Sequence, residues 1–154
     1  MKTERRSALK KMFASLLGLT GLGLAAKATA GSPEEKEAMN ITNYQNAPLF
    51  SGHTKLRNLV FVAGKGAHTA PFTIQAHTEI VLKALEDELI KAGSSMQKVL
   101  KVTVFLNDIA DYQGMNEVYK GRFGSKPPVR TTVAVAKGGV PGDSLVEMDC
   151  IAYT

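Results

Sequence analysis

The sequence is short of the groups that most directly announce a chemistry. It has one cysteine, Cys150, and no tryptophan. A single thiol excludes a disulfide framework within the chain and any zinc site built on several cysteines. The three histidines, His53, His68 and His77, have no metal-ligand spacing and no carboxylate cluster beside them. No apolar run reaches the roughly 18 residues of a membrane span. A Walker-type phosphate loop and a Gly-x-Ser-x-Gly elbow are both missing, since Gly64-Lys65-Gly66 fits neither pattern. Most of the chain also lacks a surplus of positive charge. The formal +5 comes from 19 basic and 14 acidic residues. Six of those basic residues and one acid fall in residues 1–30, which leaves thirteen of each in residues 31–154. A net charge of zero over the main part of the chain argues against a nucleic-acid binder, which needs Lys and Arg on the folded surface.

What is present begins with an address. Residues 1–30 read as a charged start, an apolar middle from Met12 to Ala26, and a small-residue end at Ala28-Thr29-Ala30. Arg5-Arg6 followed by Ser7, Ala8 and Leu9 resembles a twin-arginine export signal. An amphipathic helix or an uncleaved anchor is the competing interpretation. The expectation is a twin-arginine-type signal peptide over 1–30 and an exported, periplasmic domain over 31–154, free of the membrane once the signal is cleaved.

The domain of 124 residues is long enough to bury roughly two-thirds of its unfolded surface in one core. Gly31 to Asn46 is polar and reads as loose at its start, with extra strand pairing allowed before residue 58. Leu59 to Ala63 predicts a strand. Apolar residues at three- and four-residue steps over 73–92, closed by Gly93, predict an amphipathic helix. Alternation over 99–106 predicts a strand with Leu100, Val102, Val104 and Leu106 on one face. Residues 111–123 predict a second helix with Met115, Val118 and Tyr119 inward. Pro127-Pro128 forces an extended entry to a strand over 130–137, and 145–153 is a last strand. In that last strand Val146, Met148, Cys150 and Ala152 are the core face. In the strand before it, Val133 and Val135 are expected to face the core, with Arg130, Thr132, Ala134 and Ala136 facing away. The order of elements fits an α+β domain with helices on one face of a sheet. The mixed character of the other face suggests either cover by another subunit or an ordinary solvated face.

Two residues carry the candidate chemistry. Arg130, set by a stiff Pro-Pro entry, can grip a carboxylate through two parallel hydrogen bonds. Glu147, in an otherwise apolar strand, costs free energy unless paired or functional. Parity puts it on the same side as Arg130, in what reads as a neighbouring strand. Together they suit a hydrolytic site, with Glu147 handling a water; the competing reading, favoured on the bare residues, is a structural ion pair, within the chain or between subunits. His77 reads as a packed side chain and Cys150 as a small buried hydrophobe.

The stretch Pro128 to Val135, followed after about ten residues by Leu145 to Ala152, resembles the C-terminal signature of the RidA (YjgF) family. Val102 to Asp108, Met115 to Tyr119 and Phe61 to Gly64 resemble its central strand, second helix and early strand, so the resemblance covers roughly residues 44–154. It implies a chorismate-mutase-like fold with a mixed sheet and two helices on one face. It also implies a homotrimer with ligand clefts between subunits, and no metal or organic cofactor. The implied activity is hydrolysis of reactive enamines and imines, such as 2-iminobutanoate and 2-iminopropanoate, to 2-keto acids and ammonia. Arg130 matches the arginine that holds the substrate carboxylate, Glu147 the glutamate that positions or activates water, and Asn116 an asparagine near the cleft. Three substrate-binding positions depart from the pattern: Leu49 stands for a tyrosine, Ala63 for a serine, and Thr132 for a cysteine. These departures keep a second expectation open, a non-catalytic trimer of the same family that binds small carboxylates. An older label in the family, ribonuclease, is opposed by the zero net charge and the lack of a basic-aromatic strip.

Overall fold

A computed structural model of the chain describes residues 34–154. The export segment expected at 1–30 lies outside the described residues.

Six strands and two α-helices follow one another among the described residues. They are β1 (Glu37–Tyr44), β2 (Ala47–Leu56), β3 (Leu59–Gly66), α1 (Ile74–Lys91), β4 (Val99–Leu106), α2 (Tyr112–Tyr119), β5 (Val129–Ala134) and β6 (Val146–Tyr153). The strands form one mixed sheet in the order β1-β2-β3-β6-β4-β5. All neighbours are antiparallel except β4 and β5, which run parallel and are joined through α2. This is the mixed α+β sheet with two helices expected from the sequence.

From Glu37 onward the polar stretch before residue 47 pairs with β2 in a hairpin, the extra strand pairing that the sequence allowed before residue 58. Gln45 and Asn46 take φ of 48° and 63°, the doubly left-handed turn whose twist matches that of flanking antiparallel strands. The backbone ladder of β1 with β2, and not apolar burial, holds β1, since nearly all its residues are exposed. That is why hydrophobic patterning did not reveal it.

Helix α1 buries Ile74, Val81, Leu82, Leu85 and Leu89 at helical spacing. Its start is capped by Thr73 Oγ1, which accepts from the Ala76 amide at 3.3 Å. At its end Gly93 has φ of 77°, and the Ser94 and Gly93 amides donate to the Leu89 and Ile90 carbonyls. This pattern satisfies the last carbonyls and needs a residue free of a Cβ penalty. The buried side chains of α1 share one core with Val60 and Val62 of β3, Val102, Val104 and Leu106 of β4, and Val146 and Met148 of β6. Burial of these side chains away from water drives the layering.

Four sequence expectations are corrected. Leu100 is 46 % exposed, because a register shift between Val99 and Lys101 lets Val99 take the inward position instead. The second helix ends at Tyr119 and not at 123, and β5 ends at Ala134 and not at 137. The faces of β5 are also reversed. Arg130 and Thr132 pair with the buried Val102 and Val104, so they share the helix-covered side. Val133 lies 42 % exposed on the open side. Alternation separates two faces but does not say which is inside. Here the cover is one short helix whose Asn116 and Tyr112 side chains accept hydrogen bonds from the guanidinium.

His77 is fully buried between backbone groups. Its Nδ1 accepts from the Leu145 amide at 3.1 Å, which leaves Nε2–H to donate to the Thr69 carbonyl at 3.2 Å. It is a packing residue, and Cys150, 2 % exposed, is another.

Candidate active site

Arg130 lies at the start of β5, on the last strand of the sheet, with its side chain against α2. Nη1 donates to Asn116 Oδ1 at 2.8 Å, and Nη2 donates to the Tyr112 hydroxyl oxygen at 3.1 Å. The guanidinium carbon sits 4.7 Å from the ring centre of Tyr119 and 5.7 Å from that of Tyr112, within reach of a favourable cation–π interaction. Tyr112, Asn116 and Tyr119 are four and three residues apart, so α2 presents all three on one face. Every partner is uncharged, and no carboxylate pairs with Arg130 among the described residues. A half-buried cation thus keeps its charge unneutralised, as an anion-binding site requires. Burial pushes the Tyr119 phenol up to about 12 despite the nearby Arg130, so it stays protonated at neutral pH. The Tyr119 hydroxyl and Thr132 Oγ1 are buried without a hydrogen-bond partner. Thr132 is one strand step beyond Arg130 on the same face.

Glu147 is elsewhere. In β6 it pairs with Phe105 of β4 and Gly66 of β3, on the side of the sheet that the helices leave open. Its carboxylate lies over Gly64, in space that any Cβ at residue 64 would occupy. It lines a cleft of about 350 Å³ with Phe105, Val135, Gly139, Val140 and Pro141. Leu49 and Ala63 share a second groove, of about 510 Å³, with Ile41, Phe50 and Phe61 among its walls. Ala63, at one end of this groove, is followed in β3 by Gly64, the glycine beneath the Glu147 carboxylate.

The structure therefore brings Arg130, Asn116 and Thr132 together, and Leu49 with Ala63. It does not place Arg130 and Glu147 side by side. They emerge from opposite faces, and their strands are not neighbours, because β4 runs between β5 and β6. The same-side, adjacent-strand expectation is corrected on both counts, and no ion pair joins the two. The cause is topological: β6 inserts between β3 and β4, a placement that local alternation does not encode. Tyr112 is a site residue the sequence did not single out, and the polar i, i+4, i+7 stripe of α2 was the available signal for it. Gly64 was named as the glycine that ends the early strand, but not as the floor beneath Glu147.

Residues 42–154 match the family described as Endoribonuclease L-PSP. The chain belongs to the RidA/YjgF/L-PSP family. Among relatives of this L-PSP family member, the mitochondrial protein mmf2 of Schizosaccharomyces pombe is 41 % identical over 124 residues, covering 76 % of this chain and 97 % of its own. Reactive Intermediate Deaminase A of Arabidopsis thaliana chloroplasts is 31 % identical over 138 residues, covering 83 % of this chain and 71 % of its own. A crystal structure of a YjgF/YER057c/UK114 family member from Mycobacterium tuberculosis superposes with a TM-score of 0.68 at 26 % identity, covering 78 % of this chain and all of that one. The family thus includes a protein named for deamination of reactive intermediates, and the RidA-like fold is shared with solved members.

Proposed function

We propose that this L-PSP family member is a deaminase of reactive imines and enamines, hydrolysing compounds of the 2-iminobutanoate and 2-iminopropanoate type to 2-keto acids and ammonia. The observation that carries the proposal is the uncompensated guanidinium of Arg130, held by neutral groups on α2. Arg130 holds the substrate carboxylate, with Asn116 and Thr132 beside it. Water adds to the carbon of the C=N bond, forming a carbinolamine as Glu147 takes the water's proton. That proton passes to nitrogen to complete the carbinolamine, the carbinolamine's hydroxyl proton then moves to nitrogen by way of Glu147, the C–N bond breaks, and the keto acid and ammonia leave. Water is the only co-reactant in this scheme.

Because Arg130 and Glu147 leave one chain on opposite faces, a site holding both is assembled from two copies. One subunit supplies Arg130, Asn116 and Thr132. The partner subunit's Glu147 supplies the base. A cyclic homotrimer presents three such junctions. The exposed apolar residues of the open face, Phe61 at 41 %, Val133 at 42 % and Phe50 at 54 % among them, supply surface for that assembly. Leu49 and Ala63 shape the wall next to Glu147 and bear on which substrate fits.

The test is turnover by the purified protein, with 2-iminobutanoate generated in situ by an amino-acid oxidase and semicarbazide competing for the imine. The parent accelerates loss of imine, whereas Arg130→Ala does not, while size in solution stays trimeric for both. Calorimetric binding of 2-oxobutanoate without turnover would instead establish a carboxylate-binding trimer. We further propose that residues 1–30 direct export by the twin-arginine route. Retention of the full chain in the cytoplasm after Arg5→Lys with Arg6→Lys, against export of the parent, is the matching test.

A further inference from the structure

We infer that Tyr112 is a positioning residue for Arg130, fixing the rotation of its guanidinium so that the edge bearing Nε–H is presented to a bound carboxylate; this rests on the carboxylate-binding reading of Arg130 above.

An arginine side chain has several rotatable bonds and five N–H donors. One hydrogen bond leaves the planar head free to swing, whereas two, to different nitrogens, define both its plane and its rotation. Asn116 Oδ1 takes Nη1 and the Tyr112 oxygen takes Nη2. The two acceptors sit four residues apart on α2, hence on one face of a rigid turn. Tyr119, 4.7 Å away, adds an aromatic wall. Nε–H has no partner among the described residues, so it stays available.

The anchors also have a direction. Arginine can only donate, so Asn116 must turn its carbonyl oxygen to Arg130 and its amide N–H groups away. Tyr112, by accepting from Nη2, keeps its own O–H proton free to donate. The groups left unengaged around the cation therefore include the donors Nε–H, the Asn116 amide and the Tyr112 hydroxyl, besides the unpartnered hydroxyls of Tyr119 and Thr132. A donor-rich cluster beside an uncompensated positive charge suits a full carboxylate and disfavours a neutral ester, which has no negative charge to place there. Phenylalanine at this position would keep the aromatic wall and lose both the second anchor and one donor.

The experiment uses the full chain and the variant Tyr112→Phe. Three quantities are compared: the calorimetric Kd for 2-oxobutanoate, kcat and KM for in situ 2-iminobutanoate, and the Arg130 Nε–Hε NMR signal, assigned by its loss in Arg130→Lys. The expected result is a Kd and KM raised about 5- to 10-fold, as for net loss of one ordinary hydrogen bond. The effect falls on KM rather than kcat, and the Nε–Hε signal shifts or broadens as the head gains rotational freedom. Unchanged Kd, KM and Nε–Hε signal in Tyr112→Phe overturns the inference while leaving the carboxylate reading intact. If the parent neither binds 2-oxobutanoate nor turns over imine, the carboxylate reading falls instead. The Nε–Hε signal then judges the hold of Tyr112 on Arg130 by itself: movement supports it, and no movement removes it.

Discussion

Arg130 and Glu147 leave the sheet on opposite faces, one against α2 and the other over Gly64, with β4 running between their strands. For a reaction that needs both, no rotamer change within one chain suffices.

That relationship predicts complementation. Arg130→Ala and Glu147→Gln are each inactive alone under the proposed mechanism. When unfolded together in equal amounts and refolded, mixed trimers contain one junction that joins an intact Arg130 to an intact glutamate of the neighbouring subunit. Activity returns to about a quarter of the parental value, from simple mixing in a closed ring. Imine turnover before and after mixing measures it, and no recovery would place both residues in one subunit.

Gly64 is the second point of leverage. A Cβ there would overlap the Glu147 carboxylate. Gly64→Ala therefore pushes Glu147 out of place while Arg130 stays untouched. The expected outcome is a fall in kcat of up to about a hundredfold, as for a catalytic group misplaced by around an ångström, with 2-oxobutanoate binding largely retained. Kinetics alongside calorimetry separate the two effects.

Acid should loosen the domain through Glu88. This residue of α1 is 5 % exposed and joins three strands: Asn40 of β1 donates to it at 2.6 Å, His53 Nδ1 of β2 lies 2.7 Å away, and Lys65 of β3 lies at 3.4 Å. Burial alone would raise its pKa, but the hydrogen bonds from His53 and Asn40, with the charge of Lys65, outweigh it and hold the carboxyl at about 2, below the ordinary 4.5. A depressed folded-state pKa contributes stability that is present above the unfolded value and is lost as pH falls toward the folded one. The window is thus pH 4.5 down to about 2. The contribution is on the order of 2–3 kcal/mol. Urea denaturation across that window shows a steep decline for the parent and a flatter one for Glu88→Gln, which is also less stable at neutral pH.

Cys150 should be chemically silent in the folded protein. Burial pushes its thiol up to about 12, with Asp149 adding to the effect, and the thiolate is the reactive form. Alkylation by iodoacetamide at pH 8 is expected to be slow in the native state and fast in urea. Rapid labelling of the native protein would show that β6 opens readily.

Much of the fold was legible because its causes are local. The α1 stripe, the Thr73 and Gly93 ends, and the inward row of Val146, Met148, Cys150 and Ala152 each follow from spacing that a helix or strand imposes. The β1–β2 hairpin was legible only as extra pairing allowed before residue 58, without bounds, because backbone pairing rather than apolar burial holds it. Leu100 and β5 misled for related reasons. A bulge resets alternation after Val99, and an edge strand covered by a polar helix face can turn its arginine inward and its valine out.

The site divides along the same line. The sequence by itself determined the chemical types in play, an arginine after a stiff Pro-Pro entry and a glutamate in an apolar strand, because residue identity sets charge and hydrogen-bonding capacity. It also determined the two helices and most of the strands, because periodicity is a property of neighbours in the chain. Only the tertiary structure decided that β6 enters between β3 and β4, that Arg130 meets Tyr112 and Asn116, and that Glu147 rests over Gly64. Those contacts depend on strand order and register, which are settled by packing the whole sheet against its helices.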